Sequence, residues 1–304
     1  MSVKVKKIAL PQASRVICVS DIHGSLNEFR RLLAEVGFGE SDALILLGDL
    51  FLKGKQPRET LEFIINLAEN SNVHALLGNC DWDEDLTGRE NAWLGGLPHI
   101  IDAGEFIFVH AGLKTGELEA QDEWFCMKND AFLETAAAFP HWVVTGHWPV
   151  INYRHEIPSC NPIVNADKRI IAIDGGMVVQ SVGQLNAFII ENGEFSYHSV
   201  DSLPTAAAAA PQSESGGFSI TWLDRFVEVI SEGAEFSLCR HTASGRELEI
   251  ANDKLFEDRD GRLGCGSVTD YCLPLATGDT FSVIREYSDR YFAKRGGIVG
   301  WVSK

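Results

Sequence analysis

At 304 residues the chain is long for one core and comfortable for two domains. A formal charge of −17 excludes a nucleic-acid backbone as the expected partner and gives no general attraction to an anionic membrane surface, because both call for a basic footprint. A hydrophobic fraction of 45% and a charged fraction of 23% suit an ordinary globular protein, and no apolar stretch reaches the length of a membrane span.

The N-terminal residues lead into a short apolar run broken by Pro11, so no signal peptide is expected. The run at 16–19 predicts a buried strand, and Asp21-Ile22-His23-Gly24 follows it at once. Leu26, Phe29, Leu32, Leu33 and Val36 then fit one helix face. A strand over 43–47 runs into Gly48-Asp49, and Leu61, Ile64, Ile65 and Leu67 mark a second helix. A strand over 73–77 ends at Gly78-Asn79-Cys80-Asp81, and one over 106–109 ends at His110-Ala111-Gly112. A helix signal from about 119 to 139 precedes a strand over 142–144 and then Gly146-His147. The segments 169–173, 184–191 and 194–200 read as a β-meander, with Asp174-Gly175-Gly176 after the first and Asn192-Gly193 as a tight turn. Helices early and antiparallel strands late predict an α/β fold of two packed mixed β-sheets flanked by helices, over residues 1–203.

Pro204, Thr205, five alanines at 206–210 and a Pro, Ser and Gly-rich run to Gly217 break every periodicity, which predicts a linker over 204–217. Beyond it, 218–304 reads as all-β, with strands expected near 226–230, 235–239, 248–250, 279–286 and 291–294. Seven cysteines, at 18, 80, 126, 160, 239, 265 and 272, are an odd number without a CxxC pair. Reduced thiols and a cytoplasmic location are the simpler expectation.

The polar residues recur just past strand ends, where side chains point into the crevice in which open α/β sheets bind ligands. Asp21 and His23 offer a carboxylate and an imidazole to one cation, and Asp49 is the natural bridging ligand. Asn79 adds an amide oxygen, and His110 and His147 add ring nitrogens. Two carboxylates, one amide and three imidazoles make a pair of divalent-metal sites, which can polarise a phosphoryl group, activate water and clamp an in-line displacement. Any one such residue is usually a turn former or a satisfied polar group; the six in this order point to phosphate-ester hydrolysis.

Written as Asp21-Ile22-His23-Gly24, 48–54, 78–81, His110-Ala111-Gly112, Gly146-His147-Trp148-Pro149 and Asp174-Gly175-Gly176, the chain resembles the calcineurin-like metallophosphoesterases, in their serine/threonine protein phosphatase branch. The family pattern is DxHG, GDxxDRG, GNHE, HxG, GHTP and a late DTG or DGG. The resemblance implies one metal on Asp21, His23 and Asp49 and another on Asp49, Asn79, His110 and His147. It also implies that Asp49, Asn79 and His147 serve catalysis directly. Mn, Fe or Zn would suit these ligands alike. The ending, from Gly278 to Ile284 and from Tyr291 to Val302, resembles the closing strands of bacterial SH3-like barrels, which implies a small C-terminal barrel for protein contact or dimerisation.

The departures fall on the proton donor. Leu52 stands where the family carries the aspartate that orients a catalytic histidine, and Cys80 stands where it carries that histidine. Asp81 replaces a glutamate and Lys53 a phosphate-gripping arginine, while Lys128 is the basic residue nearest to the position of a second such arginine. Lys53, Asn79 and Lys128 are therefore the candidate phosphate-binding residues. General acid catalysis contributes about 10²–10⁴-fold, so its loss implies slow turnover on poor leaving groups. His74, His99, His141, His155, His198 and His241 lie outside the pattern. The expected activity is a metal-dependent phosphoester hydrolase acting on a phosphorylated protein or a small phosphoester. A phosphodiesterase or dinucleoside polyphosphatase, or a metal-retaining phospho-binding protein with little turnover, are the alternatives.

Overall fold

The computed structural model describes residues 3–10, 15–86 and 88–304, so Pro11 falls outside it. The chain folds as two compact units, Met1–Val150 with Asn161–Ser202 and Ile151–Cys160 with Leu203–Lys304.

In the first unit the elements are β1 Val5–Lys7, β2 Val16–Val19, α1 Leu26–Glu35, β3 Ala43–Leu46, α2 Pro57–Asn70, β4 Val73–Ala75, α3 Gly88–Gly96, β5 Ile100–Asp102 and β6 Phe106–Val109. They continue with α4 Glu123–Met127, α5 Phe132–Thr135, β7 Trp142–Thr145, β8 Ile163–Asn165, β9 Ile170–Ala172, β10 Leu185–Glu191 and β11 Glu194–Val200. They form a six-stranded sheet, β1-β5-β6-β7-β9-β8, and a five-stranded sheet, β11-β10-β2-β3-β4, so the expected pair of mixed sheets is present.

Burial explains why β2 and β3 are apolar throughout. Ile17, Val19, Leu44 and Leu46 pack in the core that includes Phe29, Leu32, Leu61 and Ile64 of α1 and α2. Their neighbours Val16, Cys18, Ala43 and Ile45 pack in a second core with Phe106, Phe108, Val144 and Ile171 of the other sheet. A strand covered on both faces has no solvent side to mark with polar residues. α2 begins with Pro57 in its first turn, where the missing N–H is not needed.

Parallel pairing then sets the position of the crevice. β2, β3 and β4 are parallel to one another, as are β6, β7 and β9, so each group releases its following loops at one end. Those loops carry Asp21, His23, Asp49, Asn79, His110, His147 and Asp174.

Three expectations are corrected. The meander is broken: β9 pairs with β7 and β8 in one sheet, while β10 pairs with β2 and β11 in the other. The Asp174-Gly175-Gly176 turn lets the chain leave the first sheet before β10 begins; the Asn192-Gly193 hairpin stands, with φ of 52° and 79°. The helix signal from 119 to 139 resolves into α4 and α5, because Ala131 takes a left-handed φ of 57° and stops any helix running through it. Last, the stretch expected as a linker is folded. Thr205–Ala207 pairs antiparallel with Thr280–Glu286, Ala208 is buried, and the Gln212 amide donates to the Leu273 and Trp301 carbonyls.

The second unit is all-β among its described strands. Its four-stranded sheet joins Thr205–Ala207, Thr280–Glu286, Arg290–Arg295 and Ile298–Ser303, and a three-stranded sheet joins Val227–Ser231, Phe236–His241 and Glu247–Ala251. The segment Ile151–Cys160 belongs to it: the Val299 N–H donates to the Pro158 carbonyl at 2.9 Å and the Cys160 N–H to that of Gly297 at 2.8 Å.

Candidate metal centre

Neighbouring strand ends build the inner part of the centre. Past β2 and β3, the Asp21 N–H donates to the Gly48 carbonyl at 3.1 Å and the His23 N–H to that of Asp49 at 3.0 Å. Asp21, His23, Asp49 and His147 all take left-handed φ, between 47° and 64°. Such backbone strain costs on the order of 1–3 kcal/mol per residue and gathers at functional sites. It is tolerated here because the surroundings fix the geometry. A Cβ on Gly78 would lie 2.2 Å from Asp49 Oδ1, and one on Gly146 would lie 1.7 Å from Ser20 Oγ, so both positions admit only glycine.

All six residues expected as metal ligands come together. Asp21, His23 and Asp49 form one group whose ligand atoms lie within 4.8 Å of one another, and Asp49, His110 and His147 form another. Asp49 belongs to both. Its Oδ2 is 3.7 Å from His23 Nε2, its Oδ1 is 3.4 Å from His110 Nε2, and Oδ1 also accepts the Cys80 N–H at 2.8 Å. Asn79 Oδ1 is 3.2 Å from His110 Nε2, which brings the amide to the second group.

The hydrogen-bond partners of the rings support a fit to cations. His110 Nδ1 lies 2.6 Å from the Leu47 carbonyl and must donate to it, so in the neutral ring the lone pair is on Nε2. That lone pair faces two oxygens, Asn79 Oδ1 and Asp49 Oδ1. Likewise His23 Nδ1 donates to the Leu52 carbonyl at 3.2 Å, so the lone pair on Nε2 faces Asp21 Oδ1 and Asp49 Oδ2, each at 3.7 Å. Lone pairs facing carboxylates repel, and a divalent ion among them turns that repulsion into coordination. Asp174 lies beside them: it is buried, its Oδ2 has no hydrogen-bond partner among the described residues, and burial with the Asp21 charge pushes its carboxyl well above the usual range, which favours the neutral acid unless a cation is present.

The histidines follow their surroundings. Burial pushes His23 down, and burial with the nearby His110 pushes His147 down to about 4, which keeps both rings neutral and able to ligate. Burial also opposes charge on His110, but Asp49 and Asp21 outweigh it and raise its pKa, so without a cation the carboxylates favour a proton on Nε2, in the place a divalent ion would take.

Both candidate phosphate-binding lysines reach the centre. Burial works against the charge on Lys53, yet contact with Cys80 and the fields of Asp49 and Asp21 raise its pKa, so it remains an ammonium. Lys128 Nζ lies 3.2 Å from His147 Nε2.

The position of the missing proton donor is filled by groups unsuited to the task. The Cys80 thiol accepts from Asn79 Nδ2 at 3.1 Å, and burial with the Asp49 charge pushes it up to about 12, so it is a neutral thiol at pH 7. Asp81 is fully buried, and its oxygens accept the N–H groups of Asp49, Leu50 and Gly78 at 2.9, 2.7 and 2.8 Å. Burial and the Asp49 charge raise it to about 7 against those bonds. Asp81 therefore orders the loops beneath the centre. Asp83 is held by Arg58 at 3.2 Å.

Asp130 is a member of the site that no sequence pattern marks. Its Oδ1 lies 3.0 Å from His147 Nε2 and accepts from Lys128 Nζ, yet it belongs to no motif; a lysine two residues away is the sole hint. His74, His99, His141, His155, His198 and His241 take no part in either ligand group. Among the described residues, no helix is long and apolar enough to cross a membrane.

The calcineurin-like phosphoesterase family matches residues 14–173, more than half of the chain. The chain is 33% identical over 118 residues to a symmetrical bis(5'-nucleosyl)-tetraphosphatase of Vibrio parahaemolyticus, covering 31% of this chain and 43% of that one. It is 46% identical over 65 residues to the protein of the same name from an Acidovorax species, covering 21% and 22%. The chain thus spans less than half the length of these curated relatives. A solved structure of a proposed diadenosine tetraphosphatase superposes with a TM-score of 0.53 at 21% identity, over 65% of this chain and 98% of that one, and shares its fold.

Proposed function

The chain belongs to the calcineurin-like phosphoesterase family, and from that premise we propose that it is a two-metal phosphoester hydrolase whose preferred substrates carry leaving groups that depart without a proton donor. The observation that carries this reading is Asp49, shared between two ligand groups while the nearby donor position holds Cys80 and Leu52. Asp21, His23 and Asp49 would hold one divalent ion, and Asp49, Asn79, His110 and His147 the other. When bound, such ions neutralise phosphoryl charge and lower the pKa of water.

The chain's own residues then divide the remaining work. Lys53 and Lys128 bring positive charge to phosphate oxygens, each as a point charge without the fork of an arginine. The Asn79 amide has its oxygen turned to the metal side and its N–H to Cys80. At the donor position the Cys80 thiol is pushed up to about 12, and Asp81 beside it, raised to about 7, is fully buried with its oxygens on three backbone N–H groups. A phosphoanhydride leaving group is a weak base and needs little protonation, whereas a serine alkoxide needs a great deal. Dinucleoside polyphosphates are therefore the foremost substrate class, in keeping with the names of the relatives in sequence.

Phosphoprotein hydrolysis is the second reading, favoured by the resemblance of Gly146-His147-Trp148-Pro149 to the GHTP form of the serine/threonine protein phosphatase branch. Phosphopeptide capture with little turnover is the outcome that would replace both. The same proposal places the protein in the cytoplasm and gives the second unit a role in protein contact or dimerisation. A panel of dinucleoside tetraphosphate, p-nitrophenyl phosphate, a diester and a phosphoserine peptide, assayed on metal-reconstituted protein, decides among them. The proposal expects the anhydride and aryl esters to turn over at least about 10²-fold faster than the peptide. Efficient phosphoserine hydrolysis by the unaltered protein would overturn it.

A further inference from the structure

We propose that Asp130 is a positioning residue with two charges: it fixes the ring of His147 for coordination and at the same time holds the ammonium of Lys128 back from the phosphate. The inference rests on the metal-centre reading of His147.

Three atoms meet at one point. Asp130 Oδ1 lies 3.0 Å from His147 Nε2, Lys128 Nζ donates to the same oxygen, and Nζ and Nε2 are 3.2 Å apart. An ammonium has only donors, and a carboxylate has only acceptors. The arrangement consistent with the shorter contact is the one in which Nε2 carries the proton and both N–H groups converge on Asp130. The lone pair of His147 is then on Nδ1, the ring nitrogen nearer the backbone. That backbone is fixed in turn, because the His147 N–H donates to Asp21 Oδ2 at 2.9 Å. Asp21 thus anchors the main chain of the histidine and Asp130 anchors the far side of its ring. A carboxylate behind a ligating histidine sets tautomer and ring orientation, and losing it typically costs 10–100-fold in metal affinity.

Asp130 is about half exposed, at 48% of its side chain, but its loop is not free to move it. Asn129 Nδ2 and the Phe132 ring each lie 2.6 Å from where a Cβ on Gly112 would be, so the loop is pressed against the chain that leaves His110. Between them Ala131 holds a left-handed φ of 57°, a conformation that needs a reason in a residue other than glycine. The strained turn carries Asp130 to His147 across 17 residues of sequence.

The two roles separate on substitution. Asp130→Asn keeps an oxygen for the His147 N–H but removes the charge that retains Lys128. Asp130→Ala removes both. The direct probe is the metal-free protein with 15N-labelled histidine, in which long-range 1H–15N correlations report the tautomer of each ring. His147 is expected as the Nε2–H form in the parent and in Asp130→Asn, and as a mixture in Asp130→Ala, with His23 and His110 unchanged as the control for folding. Titration with Mn²⁺ alone should show one of two sites weakened about 10–100-fold in Asp130→Ala and largely recovered in Asp130→Asn. Inorganic phosphate should inhibit Asp130→Asn at lower concentration than the parent, because Lys128 is released. An Nδ1–H His147 in the parent, or a tautomer and Mn²⁺ titration that Asp130→Ala leaves alone, would overturn the inference. A parent that binds no metal but shows the tautomer change would instead retire the metal-centre reading and keep Asp130 as the residue that orients His147.

Discussion

The two halves of the centre are built differently. The inner half, Asp21, His23 and Asp49, comes from two adjacent parallel strands and is almost wholly buried, with none of the three more than 2% exposed. The outer half, Asn79, His110 and His147, comes from strands of both sheets, and Asn79 and His147 reach toward solvent beside Lys128 and Asp130. The inner half is strained and buried throughout; in the outer half His110 is as buried and His147 as strained, but Asn79 and the His147 ring also depend on side-chain contacts that a single substitution can remove. Affinity and rigidity should reside in the first, tuning and substrate charge in the second.

The change expected to do most damage removes the link between them. Asp49→Ala should lower kcat/KM by about 10³-fold or more on every substrate, since both ligand groups lose a member. Steady-state assays at saturating Mn²⁺ check this, and a loss under tenfold would mean that the halves do not share Asp49. Next, His23→Ala and His147→Ala should each lose one ion and on the order of 10²-fold in turnover. Metal analysis should find the His23 variant harder to rescue with added metal; equal rescue would erase the distinction between halves.

Restoring a proton donor tests the outer half alone. Cys80→His combined with Leu52→Asp should raise phosphoserine hydrolysis by about 10²-fold, at the low end of what general acid catalysis contributes, and leave anhydride hydrolysis nearly unchanged. Either substitution by itself should do little, because a histidine without its aspartate is mis-tuned and an aspartate without its histidine is a half-buried unpaired charge.

The smallest expected effect lies away from the centre and serves as its control. Asp42 accepts from Arg15 at 3.1 and 2.8 Å and from the Gly39 N–H at 2.9 Å. Burial would raise its carboxyl, but these bonds outweigh burial and lower it. A depressed carboxyl stabilises the fold above its unfolded pKa, near 3.9, and that stability is lost as pH falls through the lower folded value. Asp42→Asn should therefore cost about 1.5–3 kcal/mol at pH 7 and progressively less in acid, with activity unaltered. Urea unfolding at several pH values measures it, and a penalty that grows in acid would reverse the sign.

Much of the inner half was legible because its ligands follow apolar runs within a residue or two, and strand ends fix where such side chains go. Lys53 and Lys128 were singled out only through their place in a resemblance. Asp130 was not, since a carboxylate on a strained turn carries no spacing that ties it to His147. The alanine run at 206–210 misled because Ala206 and Ala208 pack inward in a core with Tyr271, Leu273 and Phe281, a pattern too short and too small to stand out as alternation. Nor could the sequence show that 151–160 leaves its neighbours to pair with the C-terminal strands, because those pairings span more than a hundred residues. That detour bears on truncation: deleting 203–304 would strip 151–160 of its partners, so a fragment ending at Ser202 is expected to expose that segment to protease.

Counting bound metal tests the central claim most directly. Protein stripped by chelator, reloaded with Mn²⁺ and desalted should carry close to two ions per chain, and Asp49→Ala prepared the same way should carry close to none. One ion per chain in both proteins would contradict the shared-ligand centre.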